Sequence, residues 1–170
     1  MHSVRSKHTT PYVALPHRDE PRLEPDEEAL VRDALRLIYR RYFSRESEPM
    51  SSRGITAAYL QIRFAPLPYE VFACLFLDSQ HRLIATEELF RGTVNGPTVH
   101  SREVVKAVLR HNAAAVILLD NHPSGATEPS HSDEALTRRL TEALDLVDVR
   151  VLDQFIVGDG FTSFAESGLV

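Results

Sequence analysis

Apolar positions recur along this chain with two different periods, and the change falls near residue 70. Before it, Leu30, Ala34, Leu37, Ile38 and Tyr42 recur at helical steps, while Arg32, Arg36 and Arg40 mark another side of the same helix. Asp26 after Pro25 is placed to cap this helix, and Glu27 and Glu28 suit its positive end. A second, shorter helix is expected over Ile55–Ile62, started by Ser51 or Ser52 and ended by Pro66 and Pro68. After it, Val71–Asp78 and Arg82–Phe90 read as strands joined through Ser79-Gln80-His81 into a hairpin. Ser101 is expected to cap a helix with Val104, Val105, Val108 and Leu109 on one face and Asn112 at its end. Ala113–Leu119 is a short, continuously apolar run, the mark of an interior strand. Ser130 then caps a helix carrying Leu136, Leu140 and Leu144, and Val149–Val157 with Thr162–Phe164 close a sheet around the Asp159-Gly160 turn. Strands, helix, strand, helix, strands describe an α/β (α+β) chain with a mixed sheet and helices packed on it.

Composition narrows this picture. A chain of 170 residues with 43% hydrophobic content can bury one full core. We expect residues 1–25 to form an extended arm, since Pro11, Pro16, Pro21 and Pro25 interrupt helix and ladder alike. Residues 26–69 form a helical region and residues 70–170 the main domain. The single cysteine, Cys74, excludes an intramolecular disulfide and reads as a buried, inert thiol in a strand. No run reaches the ~18 apolar residues of a membrane span and no signal-peptide core is visible, so a cytoplasmic location and no membrane partner are expected. A net charge of −5 argues against capture of nucleic acid by the whole surface. The Arg32, Arg36, Arg40 ladder reads first as a solvated helix face.

The chemistry is concentrated in residues 120–133, Asp-Asn-His-Pro-Ser-Gly-Ala-Thr-Glu-Pro-Ser-His-Ser-Asp. A buried strand here empties into a Pro/Gly loop and then a capped helix, a geometry that converges side chains at a strand's carboxyl end. His122, Ser130 and Asp133 stand in the spacing His-x7-Ser-x2-Asp. With Glu70 upstream, Glu88–Thr93, Val99–Lys106, Asn121–Gly125, Phe155–Gly158, Ser163-Phe164 and Gly168-Leu169, the chain from Glu70 onward resembles the RadC-like family of the JAB/MPN (JAMM) metallohydrolase superfamily. That family's motif is His-x-His-x7-Ser-x2-Asp. Two positions depart from it: the first motif histidine is Asp120, and the usual Asp-His pair near the last strands is Asp153-Gln154.

The resemblance implies the JAB/MPN fold, which is cytidine-deaminase-like, and a zinc site. It implies that His122 and Asp133 are ligands with Asp120 at the remaining ligand position, that Glu70 is the general acid/base, and that Ser130 donates to the oxyanion of a tetrahedral intermediate. Such a zinc keeps three protein ligands and one open position for a water whose pKa falls to about 7. Asp120-x-His122 at a strand end keeps both side chains on one side. Two carboxylates and one imidazole make a harder donor set, which leaves room for Mn, Fe or Mg beside zinc, or for no metal. His100, His131 and Gln154 are accessory candidates.

Taken singly, each residue has an ordinary structural reading. Ser130-x-x-Asp133 is the spacing of a helix capping box, and Pro123-Ser124-Gly125 is turn chemistry. His122 alone would read as a loop histidine and Glu70 as a strand-edge carboxylate. Three functions therefore stand side by side. The first is a metal-dependent hydrolase of an amide, peptide or isopeptide bond. The second is a catalytically silent JAB/MPN module that binds a protein partner, motivated by the loss of two family histidines. The third is a DNA-repair-associated accessory protein, which the family association suggests, with direct DNA contact through the arginine helix.

Overall fold

The computed structural model describes residues 24–42, 53–92 and 99–170. The expected arm and the Ser51/Ser52 helix start lie outside these residues. Helix α1 (Pro25–Tyr42) begins one residue earlier than expected. Pro25 takes the first helical position, where a missing N–H costs nothing, and Glu24 stands before it: its carbonyl accepts from Glu28 N and its N–H donates to the Glu27 carboxylate. Asp26 is thus a first-turn anion rather than the cap. Helix α2 (Arg53–Phe64) ends before Pro66, as the proline pair requires.

Strands β1 (Val71–Leu77) and β2 (Leu83–Arg91) form the expected antiparallel hairpin. Asp78 closes it: one carboxylate oxygen accepts from the N–H groups of Gln80 and Arg82, and His81 supplies the left-handed turn residue at φ 60°. Helix α3 (Ser101–His111) follows. Here the expected cap is corrected. His100 holds the N-cap position with no side-chain bond, and Ser101 Oγ is buried without a partner. Asn112 does end the helix in the left-handed region, at φ 49°. The buried face of α3 is Val104, Ala107 and Val108, whereas Leu109 is exposed.

Strand β3 (Ala115–Asn121), helix α4 (His131–Asp145), strand β4 (Arg150–Val157) and the short β5 (Phe161–Ser163) complete the chain. The sheet order is β2-β1-β3-β4-β5, with β3 and β4 parallel and the other neighbours antiparallel. Helix α4 is the crossover between the parallel pair. Both faces are covered, which is why β1 and β3 are apolar without alternation. Val71, Ala73, Leu75 and Leu77 face Leu60 and Phe64 of α2, with Leu35 and Ile38 of α1 packed on the same cluster. Phe72, Cys74 and Phe76 face Val104 and Val108 of α3 and Leu140 and Leu144 of α4. Cys74 is fully buried, and burial first, then the charge of Glu87, raises its pKa well above the ordinary thiol value. No helix among the described residues is long and apolar enough to cross a membrane.

One polar side chain joins this sheet to α2. Asn121, at the carboxyl end of β3, is 1% exposed. Its Oδ1 accepts from Val71 N at 2.5 Å, and its Nδ2 donates to Phe64 O at 3.2 Å and Tyr69 O at 3.1 Å. The end of α2, the link to β1 and the last residue of β3 are held together by that amide. Removing it strands one donor and two acceptors in a dry place. Asn121→Ala should cost on the order of 3 kcal/mol, lowering Tm by about 10 °C in a thermal melt. A change of only a degree or two would mean these backbone groups find other partners.

Candidate metal centre

Alternation along β1 and β3 decides what meets at this end of the sheet. Phe72 lies opposite Asp120 and Val71 opposite Asn121. Residues 70, 72, 120 and 122 therefore share the side of the sheet covered by α3 and α4, while Asn121 points to the α2 side. Glu70 sits half-buried between Tyr69 and Val71, whose carbonyl and N–H respectively are bound by Asn121. Its own carbonyl accepts from Gly92 N at 2.9 Å.

His122 is the first residue after β3, and its backbone continues the ladder, His122 N donating to Val157 O at 2.7 Å. The loop beyond it closely approaches the β4–β5 turn at two glycines. Gly125 has φ +84°, and a Cβ there would fall 2.5 Å from Asp159 Oδ2. A Cβ on Gly158 would fall 2.5 Å from Gly125 O and 2.7 Å from Ala126 O. Two glycines in contact thus fix the path of the loop that carries His122.

Asp133 comes from the first turn of α4. Ser130 is the N-cap: its Oγ accepts from Asp133 N at 3.2 Å, and Ser130 N donates to Asp133 Oδ2 at 2.8 Å. The capping box is therefore real, and it orients the carboxylate toward the strand ends. Asp133 Oδ2 lies 3.9 Å from His122 Nε2. Asp120, His122 and Asp133 each offer a donor atom, and these atoms all lie within 4.8 Å of one another.

Asp120 is the unusual member. It is 7% exposed, and its Oδ1 is buried with no hydrogen-bond partner. Burial, then the charges of Asp133 and Glu70, pushes its pKa up to about 8. A desolvated carboxyl facing two other carboxylates and an imidazole is the electrostatic arrangement a cation relieves. The donor set of one nitrogen and two carboxylates fits a divalent ion, and the orphaned Asp120 oxygen is the atom such an ion would satisfy.

The accessory candidates are placed differently. His100 is exposed at the N-cap of α3, its ring 6.2 Å from that of Phe90, and His131 is exposed at the start of α4. Neither belongs to the converging group. Gln154 is fully buried on the α4 side of β4, opposite Leu118. Its Oε1 accepts from Thr137 Oγ1 at 2.5 Å, and that hydroxyl also lies 2.8 Å from Asp133 O, while Gln154 Nε2 has no partner. Asp153, its neighbour, accepts from Ser163 Oγ and Ala165 N and serves the β5 end of the sheet. Thr137 and Asn121 were missed by the sequence reading. The signal for Thr137 was available, one helical turn beyond Asp133 on the buried face of α4.

A family model described as RadC-like JAB domain matches residues 50–169. The chain belongs to the RadC-like JAB domain family. The mixed sheet with helices on it, expected from the resemblance, is the fold observed. A "UPF0758 protein" of Thioalkalivibrio sulfidiphilus is 60% identical over 123 residues, 72% of this chain and 55% of that protein. One of Nitrosococcus oceani is 64% identical over 116 residues, 68% of this chain and 52% of that protein. One of Alcanivorax borkumensis is 53% identical over 146 residues, 84% of this chain and 65% of that protein. The chain thus spans about half to two thirds of the length of these RadC-family relatives.

The shifted carboxyl has a measurable consequence in metal-free protein. Between the ordinary aspartate value of 3.8 and about 8, folded Asp120 holds a proton that the unfolded chain releases. Stability from this group is fully present below about pH 4 and is lost as pH rises through about 8. Asp120→Asn keeps the shape and stays neutral. In melts with chelator, its stability advantage over the parent should widen from pH 5 to pH 8 and then level off. A constant difference across that range would show that Asp120 ionises in the fold without penalty.

Proposed function

We propose that this chain is a metal-dependent hydrolase of amide, peptide or isopeptide bonds, with Asp120, His122 and Asp133 holding a divalent ion. The observation that carries the reading is the convergence of these three donors around a buried carboxyl oxygen that the protein leaves unpartnered. Three protein donors are the number found in hydrolytic rather than closed structural sites. Zinc fits the set, and the second carboxylate moves the preference toward harder ions such as Mn²⁺, Fe²⁺ or Mg²⁺. A divalent ion in this place supplies Lewis acidity, polarising a carbonyl and lowering the pKa of water toward neutrality.

The chain's own residues supply the rest. Glu70, on the same side of the sheet as Asp120 and His122, takes a proton from the attacking water and delivers it to the leaving amine. Its backbone is fixed on both sides by Asn121, so the carboxylate is positioned by the fold rather than by a mobile loop. Ser130 Oγ accepts from Asp133 N, which leaves its hydroxyl proton to be donated to the oxyanion of a tetrahedral intermediate. The substrate is a peptide or protein.

A second reading rests on the two departures from the family motif, Asp120 and Gln154, and makes the chain a catalytically silent module that binds a protein partner. Elemental analysis of protein purified without a metal-affinity step, with Asp120→His alongside, separates the two. We expect near-stoichiometric metal in both proteins. Metal in the Asp120→His protein alone would overturn the hydrolase reading in favour of the binding module. On any peptide or isopeptide substrate that is turned over, Glu70→Gln should lower kcat about 100-fold or more with metal content unchanged. Equal activity in the two would remove Glu70 from the chemistry.

A further inference from the structure

Helix α1 carries more apolar surface than it packs against the other described residues. Leu35 and Ile38 pack against the α2-side core, whereas Leu30 and Leu37 are 72% and 57% exposed. Seven residues are close to two helical turns, so the exposed leucines form a line of their own, with the half-buried Ala34 between them. Charge along the helix is segregated as well. Asp26, Glu27 and Glu28 occupy the first turn, Arg32 and Asp33 the middle, and Arg36 and Arg40 the second half. The helix dipole accounts for an acidic first turn, but it does not account for two leucines left in water on the same helix.

We propose that this face of α1 is the docking surface for a second copy of the chain, the two helices packing antiparallel about a two-fold axis near residues 33 and 34. In that register Leu30 meets Leu37 of the second copy, twice by symmetry, and the small side chain of Ala34 lets the helices approach at the axis. Asp26 and Arg40 lie on the same flank of the leucine line, and antiparallel packing sets each against the other across the interface. A parallel pair would instead bring two acidic first turns together, so charge selects the antiparallel arrangement. Asp33 lies near the axis, where its charge is offset along its own helix by Arg36 at 3.3 Å. A pair of 18-residue helices is short. It buries a few hundred Å² per copy at most, so the association is weak and concentration-dependent.

Sedimentation equilibrium of the full chain at low salt, from micromolar to high micromolar concentration, tests this. The average mass should climb toward that of a dimer, and added salt should weaken the association. Leu30→Ser combined with Leu37→Ser should hold the protein monomeric, with its helical circular dichroism and Tm retained because both positions face water. Asp26→Lys and Arg40→Glu should each weaken dimerisation on the order of tenfold. An equimolar mixture of those two variants should regain association, since each reversed charge then meets the other. A monomer at every concentration would overturn the proposal. So would self-association that survives the leucine double variant, or a mixture that associates no better than its components.

Discussion

The end of the sheet where the candidate chemistry lies depends on the burial of one amide. Asn121 is the last residue of β3, and the residues on either side of it, Asp120 and His122, point to the opposite face. Because its amide ties β3 to the carbonyl ends of Phe64 and Tyr69 and to the N–H of Val71, the strand cannot slip without stranding three buried polar groups. That fixes the register of β1 against β3 and with it the height of Glu70 relative to His122. Asp133 is fixed by a separate device, the capping box at the start of α4. Two hydrogen-bonding units, one long-range in the chain and one local, therefore define the relative placement of four functional side chains. Neither uses those side chains' free donor atoms except Asp133 Oδ2.

The electrostatics run against the fold in the absence of a cation. Asp120, Asp133 and Glu70 are close enough for their charges to raise the Asp120 pKa, and burial adds the larger part of that rise. A site selected for stability alone would replace Asp120 by an apolar side chain, as Leu118 two residues earlier on the same face illustrates. What the fold offers in return is the positive end of α4, whose first-turn N–H of Asp133 is met by Ser130 Oγ. That favours the Asp133 carboxylate but does nothing for Asp120 Oδ1. The residual cost sits on Asp120, and a cation is the economical way to remove it.

The architecture was legible in the sequence because it rests on periodicity. The β1 and β3 runs, the α4 stripe of Leu140 and Leu144 and the two turns at residues 79–81 and 159–160 are all found where alternation and turn chemistry put them. Boundaries failed where a side-chain cap was assumed from residue type alone. Ser101 looks like a cap but lies inside the helix with a buried hydroxyl, and Asp26 gave way to Glu24 because Pro25 suits the first helical position better. Leu109 was assigned to the buried face of α3 on spacing, yet spacing cannot say where a helix rolls once Ala107 packs in its place. At the site, each residue taken singly has an ordinary structural reading, but Asp120, His122 and Asp133 could be named because their order and spacing resemble the family motif. The role of Asn121 could not, since its three partners are 50 to 57 residues away in the chain.

Positions 120 and 154 are where the chain departs from the family motif. An imidazole that ligates through one nitrogen presents an N–H on the other and asks for an acceptor behind it. A carboxylate in the same place presents only oxygens and asks for a donor. Here the chain has Asp120 with an unpartnered oxygen and, on the neighbouring strand and the same side of the sheet, Gln154 with an unpartnered N–H. The two buried groups are opposite in hydrogen-bonding sense. Gln154 is in turn held by Thr137, whose hydroxyl also contacts the Asp133 carbonyl. Asp120 lies opposite Ile156 and Gln154 opposite Leu118, and neither unpartnered atom satisfies the other, so the cost at Asp120 is not relieved by the residue at 154.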